Sequence, residues 1–114
     1  MAIRLTRRRV LMGATATAVA PIPLSLEART PKTHDIGISS FSFVPALVHA
    51  RIGDVLRWTN TDLAPHTATA DMLGWDTGTL EQHEAGEIQV TEGMESTYFC
   101  VFHPHMTGKI RIVG

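Results

Sequence analysis

The chain is short of several things at once. Among its 114 residues there is one cysteine, so no disulfide can close within it. Charged residues make up only 18% of the total, and beyond residue 28 there is no run of lysine or arginine. That argues against nucleic acid or an anionic membrane as partner. No apolar stretch approaches the roughly 20 residues needed to cross a bilayer as a helix. Beyond residue 28, no segment sustains the spacing of an amphipathic helix either, which leaves strands as the building material.

The first residues differ from the rest. Met1 to Arg9 hold four arginines and no acid, Val10 to Ala20 are apolar or small, and Pro21 and Pro23 follow. This order predicts an export signal over residues 1–28. Thr6-Arg7-Arg8-Arg9-Val10-Leu11-Met12 resembles the twin-arginine variety. Ala18-Val19-Ala20 has the small-x-small pattern of a cleavage point but is followed by Pro21, and Ala28 is the alternative. Residues 29–33 then read as a polar lead-in to a domain over 34–114. Without residues 1–28, six basic residues face ten acidic ones, a net charge of −4. The expected location is the periplasm. A lone cysteine in an exported protein is free, joined to another chain, or held by a metal.

The domain reads as short strands separated by turn residues. Ile36, Ile38, Phe41 and Phe43 are spaced by small or polar residues, and Pro45 marks a break. Leu47 to Ile52 and Val55 to Thr59 are strands around a Gly53-Asp54 turn, and Asn60 to Pro65 is a loop leading to His66. Thr67 to Ala70 is a further short strand, and Asp71 to Gly78 is irregular. Ala85-Gly86 turns into Glu87 to Val90; a strand over Thr97 to Phe99 and a last one over Lys109 to Val113 complete the set. Seven or eight strands with turn signals every eight to twelve residues predict an all-β sandwich. The default expectation is a monomer.

The chemistry is concentrated near the C-terminus. Between Cys100 and Met106 lie a thiol, two imidazoles and a thioether, in a segment marked by Pro104 and Gly108 and expected to be a loop. Thiolate, imidazole and a weak thioether form the donor set that suits copper in a trigonal Cys-His-His site with a long axial Met. One histidine must then come from elsewhere, and His66, after Pro65, supplies it. His105 competes with His103, but a Cys-x4-His loop places its methionine further on, where this chain has Lys109 and Ile110. Taken singly, Cys100 reads as a core thiol and Met106 as core packing. His34, His49 and His83 read as solvated, and Trp58 and Tyr98 as core.

Gly53-Asp54-x-x-x-Trp58-x-Asn60, Pro65-His66-Thr67, Trp75-Asp76-Thr77-Gly78 and Tyr98-x-Cys100-x-x-His103-Pro104-x-Met106-x-Gly108 together resemble the cupredoxins. The short Cys-x-x-His-x-x-Met spacing is most similar to the amicyanin group among the plastocyanin-like members. The resemblance runs from about His34 to Gly114. It implies a Greek-key β-sandwich with one type 1 copper ion, His66, Cys100 and His103 as equatorial ligands and Met106 as the axial one. Members of that group usually have Asn after the first histidine, where this chain has Thr67.

The implied function is one-electron transfer between redox proteins, with His103 as the exit and an apolar docking patch of Pro104, Phe102 and Met72. An amine dehydrogenase and a c-type cytochrome are the partners that the likeness suggests. Copper delivery or storage is the alternative. A copper oxidoreductase fits less well, because Phe99 and Val101 flank Cys100 where such enzymes carry histidines. Zinc on His66, Cys100 and His103 is disfavoured by the neighbouring Met106.

Overall fold

The computed structural model describes residues 29–114, and the expected export signal and its cleavage point lie outside them. The described residues contain eight strands: β1 Thr33–Ser39, β2 Ser42–Val44, β3 Leu47–Arg51, β4 Val55–Asn60, β5 Thr69–Ala70, β6 Ala85–Gln89, β7 Thr97–Cys100 and β8 His103–Val113. They form two four-stranded sheets, ordered β2-β1-β4-β6 and β3-β8-β7-β5. β1 pairs β4 in parallel and β3 pairs β8 in parallel. The other named pairings are antiparallel.

Strand alternation builds the core. Ile36 and Ile38 of β1, Leu56 and Trp58 of β4, Val48 and Ala50 of β3, Tyr98 and Cys100 of β7 and Ile110 of β8 all face inward. Each buried Ile or Leu contributes about 2 kcal/mol by leaving water. The rings of Trp58, Trp75 and Tyr98 meet at centroid distances of 5.3 to 5.6 Å. Gly108 lets β8 pass directly over Tyr98, since a Cβ there would lie 2.3 Å from Tyr98 Cζ and Oη.

β1 and β4 run parallel from an end closed by Asp54 towards the site end. Asp54 is buried, and accepts from the Lys32 and Arg51 amides, each at 3.0 Å, and lies 2.8 Å from His34 Nε2. His34 is thus a structural partner of Asp54 rather than a freely solvated residue.

The strand expectations need three corrections. The run from Ile36 to Phe43 is a hairpin, with Ser39 opposite Ser42 and the chain reversing at Ser40-Phe41. Phe43 enters the core while Phe41 stays half-exposed. Ala85 and Gly86 lie inside β6, opposite Thr59 and Trp58, where the absent side chain at 86 leaves room for Thr77 and Leu80. Finally, β8 starts at His103 and not near Lys109, because a tight turn at Val101-Phe102 pairs Cys100 with His103. The next pair is Phe99 with Thr107, so Pro104, His105 and Met106 are extra residues on one side of the ladder. The expected loop is a bulge within a strand.

Candidate metal centre

Asn60 shapes the loop that presents His66. Its buried side chain donates to the carbonyls of Ala64 and Leu80, both at 2.9 Å, and accepts from the Asp62 amide at 2.8 Å. His66 and Leu80 exchange two backbone bonds, of 3.1 and 2.8 Å. The imidazole of His66 is wholly buried, with Nε2 2.9 Å from Asp62 Oδ2. A carboxylate oxygen only accepts, so in the neutral ring the proton sits on Nε2 and the Nδ1 lone pair is free. Burial acts to raise the pKa of Asp62. The amides of Phe41 and Ser40 and the His66 ring outweigh it, and the carboxyl is held below its ordinary value.

His66 Nδ1 points at the thiol. Cys100 Sγ lies 3.7 Å from His66 Nδ1 and 3.7 Å from His103 Nδ1, and ligand atoms of the three residues all fall within 4.8 Å of one another. The two imidazole centroids are 5.0 Å apart. Among the described residues this is the group of His, Cys, Asp or Glu side chains that a metal ion could bridge. Cys100 and His66 are buried, and His103 is half-buried. Met106 sits in the bulge with its side chain buried (4% exposed) in the same core cluster as Cys100. His105, two residues past His103, is exposed and outside the cluster.

The thiol has a second set of neighbours. The Thr67 amide donates to Sγ at 3.4 Å. The Thr67 hydroxyl accepts from the Val101 amide at 3.0 Å, so one residue ties down both the cysteine and the residue after it. The hydroxyls of Thr67 and Thr69 are 2.9 Å apart, and Thr69 donates to Asp76 Oδ1 at 2.7 Å. Since Asp76 can only accept, Thr69 spends its proton there and Thr67 donates to Thr69. The result is a directed chain from the Val101 N–H through two hydroxyls to a carboxylate. Thr67, the departure noted in the sequence, keeps a side-chain bond to the cysteine loop.

Sequence reasoning missed Asp62, Thr69, Asp76 and Phe41. The Phe41 ring stands edge-on to His66 and His103, with centroids 5.1 and 4.7 Å away. Its odd spacing from Ile38 was the available signal, because it breaks the inward phase. Met72 is the converse case. Asp71 bonds Thr97, at the end of β7 remote from Cys100, so Met72 is not placed beside His103. Phe102 and Pro104, both exposed, flank His103 in the chain.

This donor set, with thiolate, two Nδ1 atoms and a buried thioether close in sequence, fits type 1 copper by its chemistry. The solved structures that resemble the chain include a proline-to-phenylalanine mutant of amicyanin in its reduced state. It is 26% identical over 69% of this chain and 80% of that one, with a TM-score of 0.61. A methionine-to-alanine mutant of amicyanin in the Cu(I) form matches at a TM-score of 0.64, 24% identity, and 76% and 88% coverage. In sequence and in fold the chain resembles the cupredoxin amicyanin. The amicyanin of Paracoccus denitrificans is 26% identical over 80 residues, 66% of this chain. The chain spans 61% of that relative's length. No family model matches it. The two-sheet, eight-strand framework agrees with the all-β sandwich expected from the strand pattern.

Proposed function

We propose that the protein is a periplasmic one-electron carrier, holding one copper ion per chain on His66, Cys100 and His103 with Met106 as axial ligand. The observation that carries this reading is the pair of equal 3.7 Å approaches of the two Nδ1 atoms to one buried thiol. Bound copper supplies a Cu(I)/Cu(II) couple. The protein's share is to keep the ligands still. His66 is locked by its backbone bridge and Asp62, and Cys100 by the Thr67 amide and the chain of hydroxyls behind it. A site whose donors are preset by packing needs little rearrangement when its charge changes.

Electrons would pass through His103, the ligand nearest solvent, flanked by exposed Phe102 and Pro104. Contacts of this kind are small and short-lived. An amine dehydrogenase as donor and a c-type cytochrome as acceptor are the partners to test first, given the amicyanin likeness. Catalysis is not part of the proposal, because the residues flanking Cys100 are Phe99 and Val101 and bring no ligand for a second metal.

Addition of Cu(II) to the purified protein tests the reading. An intense visible thiolate-to-copper band is expected, lost in Cys100→Ala. A colourless adduct, or colour that survives Cys100→Ala, would refute it.

A further inference from the structure

The tip of the β1–β2 hairpin is conformationally expensive. Ser40 (φ 51°) and Phe41 (φ 59°) are consecutive left-handed residues, neither of them glycine. Two-residue hairpin turns with both φ positive normally use Asn or Gly, because a Cβ crowds the following carbonyl. The Asp62 carboxylate holds this conformation, with Oδ1 accepting from the Ser40 amide at 2.8 Å and Oδ2 from the Phe41 amide at 2.9 Å. The same Oδ2 lies 2.9 Å from His66 Nε2. One carboxylate therefore joins the hairpin tip to a proposed ligand.

The ring at this tip does not serve the core. Phe43 fills the core from the same hairpin at 3% exposure, whereas Phe41 is 51% exposed. Phe41 instead meets both imidazoles edge-on, with an interplanar angle of 89° to each. The two histidines differ in how else they are held. His66 has Asp62 on its far nitrogen, whereas the polar neighbour found for the His103 ring is Cys100 Sγ. Ring packing against Phe41 is thus a main restraint on the His103 imidazole, and half-exposed His103 has solvent to turn into.

Resting on the copper reading above, we propose that Phe41 is a positioning residue. The left-handed turn, clamped by Asp62, holds the Phe41 ring against His103 and limits its rotation away from the metal. Strain at the hairpin tip is tolerated because it fixes a ligand whose outer nitrogen has no hydrogen-bond partner among the described residues.

Phe41→Gly gives the sharpest test, since glycine suits the left-handed turn and deletes only the ring. The metal-free variant is expected to keep a melting temperature no lower than that of the parent. NMR of the metal-free protein should show the His103 ring signals averaging over more than one orientation, with those of His66 unchanged. In the copper-loaded form, release to a chelator should accelerate on the order of tenfold or more, and Phe41→Leu, which restores apolar bulk, should recover much of the loss. Parent-like His103 signals together with a parent-like release rate in Phe41→Gly would overturn the proposal. So would a fall in melting temperature large enough to account for faster release. If the parent protein itself takes up no copper, the carrier reading fails, while the metal-free NMR comparison still decides whether Phe41 restrains His103.

Discussion

At the scale of single residues, the site depends on groups that hold ligands as much as on the ligands. Thr67 shows how. Its amide reaches the sulfur, and its hydroxyl links Val101 to Thr69 and Asp76. Thr67→Val keeps the amide bond and removes the hydroxyl, leaving the Val101 amide without its acceptor. The bond is part-buried and Val101 itself is exposed, so the loss sits at the low end of the penalty for a stranded buried group, about 1 kcal/mol, which a denaturant midpoint will show. The backbone N–H···S bond survives, so the visible band should persist with a changed potential. Met106→Leu, by the same logic, is expected to keep the blue colour and raise the potential, because a weak axial thioether favours the oxidised ion; cyclic voltammetry measures the change.

At the scale of elements, the arrangement of β7 and β8 places three of the four proposed ligands. Cys100 ends β7 and His103 begins β8, and the extra residues between His103 and Thr107 form the bulge that contains Met106. That geometry requires β8 to lie close over β7, and Gly108 is where the approach is tightest. Gly108→Ala would put a methyl 2.3 Å from the Tyr98 ring. Backbone and ring must then separate, at a cost of about 3 kcal/mol, and the displaced β8 should weaken copper uptake as well. Thermal unfolding and copper titration of this variant test both halves.

At the scale of the whole molecule, stability should respond to alkali and to metal. Tyr98 is the only tyrosine, and its hydroxyl and the Trp58 indole N–H are buried without a hydrogen-bond partner among the described residues. Burial pushes the phenol from 10.0 up to about 12. The raised value belongs to the folded state, so stability is intact below pH 10 and falls as pH rises through about 12. The full loss is of order 2–3 kcal/mol. Tyrosinate absorbance should appear near the higher value or together with unfolding; a simple titration near 10.0 would contradict this account. Copper acts in the opposite direction. At free copper about 100 times Kd, binding adds about 2.7 kcal/mol, so chelation should lower Tm by about 10 °C or more in a domain of this size.

Local information in the chain was enough for the sandwich. Alternating apolar residues bury one face of most strands whatever their partners, and the Gly53-Asp54 turn is marked locally, with Asp54 bonding back to Arg51. The donor types were equally legible, because Cys100, His103 and Met106 lie within one short stretch and their chemistry does not depend on the fold. Distance and orientation were not. His66 is 34 residues from Cys100, and only the packing of two sheets puts Nδ1 against Sγ. The same holds for Asp62 reaching back to Ser40 and Phe41, and for Asp76 acting through two threonines. Strand periodicity says which face a side chain takes but not what lies across from it. A tertiary fold was therefore needed to turn Phe41 from one more apolar residue into a neighbour of both histidines, and to move Met72 away from them.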